Sequence, residues 1–330
     1  MADRKLSNTA ANFTMTKIAR LPHLGGIEAG YRISGPYKQN KPTLILINSF
    51  TTAVELYASQ FENPKLTESF NLLAIEPLGH GKSRLQTSGR ETFTYWDSAI
   101  MAIQVMDHIG VKKAFALGTS QGGWIVARMA LVAPERIAGI IPLGTSMDYE
   151  SERTRTLGCW NGPDLVGSLV KDTTSKTPTD SFEPSNEYCD FIVDIGFGKD
   201  CPADKRTLWH GLVKKNYAGD AGRRRLREAA VNLQQRDGLH ARLTNVTCPV
   251  LWLHGDADVV YSVDNAKEEI KLFDNSPDAK LLVVPGGHHF LSSTHPNEVD
   301  TAVFEFINKH SQGMKTDARA LREAVGMVEM

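Results

Sequence analysis

The chain has 330 residues, 41% hydrophobic and 23% charged, with a formal net charge of -1. This excludes a disordered or low-complexity chain, allows one domain with an insertion or two domains, and gives no electrostatic ground for a nucleic-acid or anionic-membrane partner. No window reaches the apolar run of a membrane helix, the start MADRKLSNTAANF lacks a signal-peptide core, and Cys159, Cys189, Cys201 and Cys248 lack zinc-site spacing; the expectation is a cytoplasmic protein with reduced thiols.

In chain order, TLILI (43–47) and NLLAI (71–75) are apolar runs of strand length followed by turn-rich sequence. They predict buried strands of a parallel sheet, apolar throughout because both faces are covered. Residues 95–109 carry Ile100, Ile103, Met106 and Ile109 at helical spacing, with Gly110 as the stop. Strand AFAL (114–117), a helix from Gln121 to Ala133 closed by Pro134, and strand IAGIIPL (137–143) continue the alternation. Strand and helix in regular order predict an α/β fold with a mostly parallel central sheet and helices on both faces.

The rhythm breaks between 146 and 246 and resumes with CPVLWLHG (248–255), a helix near 262–273, KLLVVPGG (280–287) and a helix from Glu298 to Lys309. The expected organisation is a core domain of residues 1–145 and 247–313, a helical cap (lid) insertion at 146–246, and a helical extension at 314–330. Trp160, Phe182, Tyr188, Phe191, Phe197, Trp209 and Tyr217 could roof a pocket or pack the insertion's own core. The run at 223–227 reads as a solvated basic helix face. Met314, Ala318, Leu321, Val325 and Val328 form one stripe, which docks on the parent domain or on a second copy in a homodimer.

FALGTSQGGW (115–124) places a serine between small residues where a strand ends and a helix begins. G-x-S-x-G in that setting is a nucleophile elbow, whose sharp turn lifts Ser120 clear of the sheet; side chains at Gly118 and Gly122 would collide with neighbouring backbone. The alternative is that Ser120 caps the helix. A nucleophilic serine needs a base and an acid to orient that base. The last two strands end on Asp256 and Asp258, then on His288 and His289, in the order Ser, Asp, His.

With these motifs the chain resembles the α/β-hydrolase fold superfamily over residues 27–145 and 247–310. The resemblance implies G-x-x-D for the acid, matched by Gly255 and Asp258, and a histidine before an aromatic or apolar residue with proline seven positions on, matched by His289, Phe290 and Pro296. It implies a triad of Ser120, Asp258 and His289, with Asp256 and Asp148 as the competing acids. Gln121 would supply one oxyanion N–H. The loop NSFTT departs from the His-Gly common in the family and is similar to that of 3-oxoadipate enol-lactonases, which by position makes Phe50 the second donor.

GHGKS (79–83) ends like a phosphate loop, but Glu76 stands where its first glycine belongs; the segment resembles the family's structural turn D-x-x-G-x-G-x-S. His254, Asp256, Asp258, His288, His289 and His295 fall near strand ends without H-x-x-x-H or H-x-H spacing, so no metal and no cofactor are expected. The expected activity is serine-dependent hydrolysis of an ester or lactone of a small, mostly apolar molecule. Carbon-carbon hydrolysis of a diketone, a non-hydrolytic acyltransferase or cyclase, and a ligand receptor on the same scaffold stay open.

Overall fold

The computed structural model describes residues 15–86 and 92–324, with side chains to Ser311. Among the described residues nine strands form one sheet: β1 (Lys17–Leu21), β2 (Ile27–Ile33), β3 (Thr43–Ile47), β4 (Asn71–Ile75), β5 (Arg84–Leu85), β6 (Ala114–Thr119), β7 (Ile137–Leu143), β8 (Val250–Gly255) and β9 (Ala279–Val284). Their order is β1-β2-β4-β3-β6-β7-β8-β9, with β5 paired to β2. From β4 to β9 every pairing is parallel, while β2 runs antiparallel to β1, β4 and β5.

The apolar runs are buried on both faces because side chains alternate across a strand. Ile45, Ile47, Leu73, Ile75, Ala114 and Ala116 face one core; Leu44, Leu46, Leu72, Ala74, Phe115 and Leu117 face the other. Helices cover both cores. On the first side lie α3 (Tyr95–Ile109) and α4 (Gln121–Val132), and on the second α1 (Ala58–Glu62), α2 (Pro64–Ser69) and α12 (Pro296–Ala324). Helix α3 starts on a reciprocal cap between Thr94 and Asp97 and stops at Gly110, whose φ of 86° only glycine adopts readily.

Between β7 and β8 the chain forms five α-helices and no strand: α5 (Glu152–Thr156), α6 (Gly162–Asp172), α7 (Asn186–Phe197), α8 (Ala203–Tyr217) and α9 (Gly219–Gln234). After β8 come α10 (Val263–Glu269) and α11 (Leu291–Thr294). Helix α12 differs from the expected break near Gly313: its backbone stays helical to Ala324. One glycine costs a helix only about 1 kcal/mol, too little to stop one of this length. The stripe from Met314 to Val328 lies outside the residues whose side chains are described. Among the described residues no helix is long and apolar enough to cross a membrane.

Candidate active site

The parallel strands β3, β6, β7, β8 and β9 all point their carboxyl ends at one edge, where a crevice forms for catalytic groups. Ser120 follows β6 with φ 55° and ψ -117°, a conformation costly for a residue with a Cβ. Two bonds hold it there: Ser120 N–H donates to Leu143 O at 2.8 Å, and Thr145 Oγ1 donates to Ser120 O at 2.8 Å. The glycines flanking it are required by contact. A Cβ at position 118 would lie 2.0 Å from Gly122 O, and one at position 122 would lie 2.1 Å from Ile47 O. Ser120 does not cap α4, since its side chain accepts no bond from the first turn.

After β8 the chain turns back so that Val260 N–H and Tyr261 N–H both donate to Asp258 Oδ1, at 2.7 and 3.1 Å. His289 Nδ1 donates to the other oxygen, Oδ2, at 2.9 Å. The Asp258 side chain is fully buried. Burial pushes its pKa up, but the His289 and His254 rings and the backbone bonds outweigh it and hold the carboxyl below its usual range.

The competing acids lie elsewhere. Asp256 is exposed and accepts Gly286 N–H, while Asp148 accepts Tyr149 N–H and Ser151 Oγ–H. Of the six groups weighed for a metal, His254 is buried and bonds Tyr261 O, His288 points toward Gly198, and His295 bonds Thr294 Oγ1. Among the described residues no three His, Cys, Asp or Glu side chains cluster as metal ligands would.

Ser120, His289 and Phe50 open into one cavity of about 550 Å³, a volume typical of small-molecule sites. Its far wall comes from the β7–β8 segment: Leu169 from α6, Tyr188, Phe191 and Ile195 from α7, and Leu226 and Leu233 from α9. Of the seven aromatic residues weighed as a roof, Trp160, Phe182, Tyr188 and Phe191 line the cavity. Phe197 and Trp209 instead pack against Phe290, and Tyr217 donates to Gly79 O. Asp172, Glu183 and Glu187 are the carboxylates of the lining; among the described residues no lysine or arginine lines it.

Several supports carry no signal in the sequence. Thr51, beside Phe50, has φ 53° and accepts a bond from Tyr188 OH at 3.1 Å. Phe290 N–H donates to Gly196 O at 2.8 Å. Helix α7 thus grips both the loop after β3 and the loop of His289. Behind Tyr261, a buried Arg236–Glu150 pair accepts bonds at Glu150 Oε1 from Trp160 Nε1 and Tyr261 OH, which sets two cavity walls. The GHGKS segment is a turn with His80 and Ser83 buried and Lys82 exposed, in which Lys82 N–H donates to Glu76 Oε2 and Ser83 Oγ to Glu76 O.

This parallel sheet with its serine turn defines a class. A family profile for the alpha/beta hydrolase fold matches residues 42–296, and the chain belongs to that family. Among curated proteins it is 24% identical over 273 residues to a pimeloyl-[acyl-carrier protein] methyl ester esterase of Edwardsiella ictaluri, covering 82% of this chain and 95% of that one. It is also 24% identical over 296 residues to epoxide hydrolase 3 of Siraitia grosvenorii, covering 81% and 92%. The chain spans 64% of the length of another curated relative it matches. Among solved structures, the enol-lactonase from Burkholderia xenovorans LB400 superposes with a TM-score of 0.70 at 16% identity, covering 88% of this chain and all of that one.

Proposed function

We propose that this chain is a serine hydrolase that cleaves an ester or lactone of a small, mostly apolar molecule through an acyl-enzyme on Ser120. The observation that carries the reading is the convergence of the strained Ser120 and the His289–Asp258 pair on one apolar cavity. Ser120 Oγ attacks the carbonyl carbon, His289 Nε2 takes its proton and returns it to the leaving oxygen, and water then repeats the sequence on the acyl-serine. Asp258 holds the ring with Nδ1 protonated, which leaves Nε2 as the base. Among the described residues neither Phe50 N–H nor Gln121 N–H has a hydrogen-bond acceptor, so both are free for the oxyanion, each worth about 3 to 4 kcal/mol.

The lining supports an uncharged acyl group, because a buried carboxylate would meet no cation there. The helices of 146–246 act as a cap, since they supply the far wall. The pimeloyl-ester esterase and enol-lactonase relatives support ester or lactone chemistry; the serine at the elbow, rather than an aspartate, argues against epoxide opening.

The test is intact-protein mass spectrometry after incubation with a fluorophosphonate, on wild type and Ser120→Ala, alongside hydrolysis of short p-nitrophenyl esters. One adduct on wild type, absent from the variant and accompanied by turnover, supports the reading. A folded wild type with no adduct and no turnover rejects it in favour of a ligand receptor.

A further inference from the structure

The turn between β4 and β5 holds a histidine that the acyl-transfer steps do not use. His80 is 2% exposed and sits behind both expected oxyanion donors. Its Nδ1 lies 3.0 Å from Leu78 O and its Nε2 3.0 Å from Gln121 Nε2, while Gln121 Oε1 accepts from Tyr95 OH at 3.1 Å. The ring meets that of Phe50 edge to face, with centroids 6.0 Å apart and planes at 68°.

The bonds fix one protonation state. A carbonyl only accepts, so Nδ1 carries the proton; Nε2 is then bare, and Gln121 must turn its NH2 to the ring and its oxygen to Tyr95. Burial holds the ring's pKa down to about 4, which keeps this neutral form at ordinary pH.

We propose that His80 is a positioning residue for the hydrolysis: its bare Nε2 anchors the Gln121 side chain and its ring braces Phe50, so that one imidazole aims both oxyanion N–H groups. The inference rests on the hydrolase reading above. Gln121 is the first residue of α4, where the peptide N–H has no partner within the helix. The tether reaches across to a turn on one side and to α3 on the other.

Two substitutions divide the histidine's functions. His80→Asn keeps a donor where Nδ1 meets Leu78 O but removes the acceptor for Gln121; His80→Gln keeps that acceptor and removes the donor. Kinetics on p-nitrophenyl hexanoate and affinity for an apolar trifluoromethyl ketone are measured for both, with circular dichroism to check folding. His80→Asn is expected to lower kcat about 10- to 100-fold at unchanged KM, with ketone affinity falling in step with kcat/KM. His80→Gln is expected to recover about fivefold or more of that loss.

Equal kcat for the two variants, or a better His80→Asn, overturns the proposal, because a histidine that only ties the turn to Leu78 gives that ranking. If His80→Asn does not fold, the near-isosteric Tyr95→Phe decides: a loss of about 3- to 10-fold in kcat and ketone affinity supports the tether, and no change overturns it. A wild type that neither takes the fluorophosphonate nor turns over ester ends the hydrolase reading and this one together. Labelling and turnover without the split between variants ends this one alone.

Discussion

Replacing Asp258 by asparagine tests the acid of the site with little change of shape. Both backbone N–H groups of the turn, Val260 at 2.7 Å and Tyr261 at 3.1 Å, converge on Oδ1. They will hold the oxygen of an asparagine in the same place and so turn its NH2 toward His289. That NH2 only donates, so Nδ1 of the ring must become the bare nitrogen and Nε2 must carry the proton. On the proposed mechanism, the nitrogen that takes the proton of Ser120 is then unable to accept one. The same substitution in other Ser-His-Asp hydrolases costs on the order of 10⁴ in kcat, which at about 1.36 kcal/mol per tenfold is about 5 kcal/mol of barrier. Because two of the three bonds survive, the fold should persist. The assay is kcat on a p-nitrophenyl ester with thermal unfolding alongside; Asp148→Asn, whose carboxyl bonds Tyr149 N–H and Ser151 Oγ–H instead of the ring, serves as control. An Asp258→Asn enzyme that keeps kcat within about tenfold of wild type would refute the tautomer argument.

Ser120→Gly should abolish turnover yet raise stability to chemical denaturation by about 1 kcal/mol or more, because the residue's φ of 55° carries a penalty that glycine escapes; unchanged stability would deny the strain. Burial raises the Glu76 carboxyl from 4.5 to about 7. A raised folded pKa means that its proton favours the fold, fully below 4.5, and that this support is lost as pH climbs through 7, by about 3 kcal/mol. Glu76→Gln should therefore match wild type in urea at pH 4 and exceed it at pH 8.5; a difference that does not change with pH is the contrary result. The comparison must be between variants, since the depressed His80 pKa acts oppositely and removes stability as pH falls from 6.5 through about 4. Gly196→Ala places a Cβ 2.2 Å from the Phe290 ring and should lower kcat by about tenfold through displacement of His289. Gly211→Ala, with nothing within 4 Å, should stabilise its helix by about 0.5 to 1 kcal/mol; equal effects of the two would contradict the contact.

The central strands are legible in the sequence because burial on both faces removes alternation and leaves plain apolar runs. The outer strands β1, β2 and β5 are not: in KIARL only Ala19 and Leu21 are buried, and RL is too short to carry a pattern. Helix α3 is legible, but its buried face is not. Ala99, Met101, Ala102 and Val105 point inward and of the expected stripe only Met106 joins them, while Ile100, Ile103 and Ile109 are only partly covered, because small alanines let the helix approach the sheet. At the site, serine, aspartate and histidine stand out because each follows a strand in a fixed order. The function of His80 is hidden for the opposite reason: Gln121 lies 41 residues away and meets it only once α4 packs against the turn.

The hold of α7 has a practical meaning for anyone who would re-tailor this protein. Tyr188 and Gly196, about 12 Å of helix apart at roughly 1.5 Å per residue, reach the loop of Phe50 and the loop of His289 from one rigid rod. A chimera that exchanges residues 146–246 for another insertion replaces the substrate-facing wall and the spacer between the two loops in a single cut. Changing what enters the cavity without disturbing how the carbonyl is met then calls for point changes at Phe191 or Ile195, leaving Tyr188 and Gly196 in place.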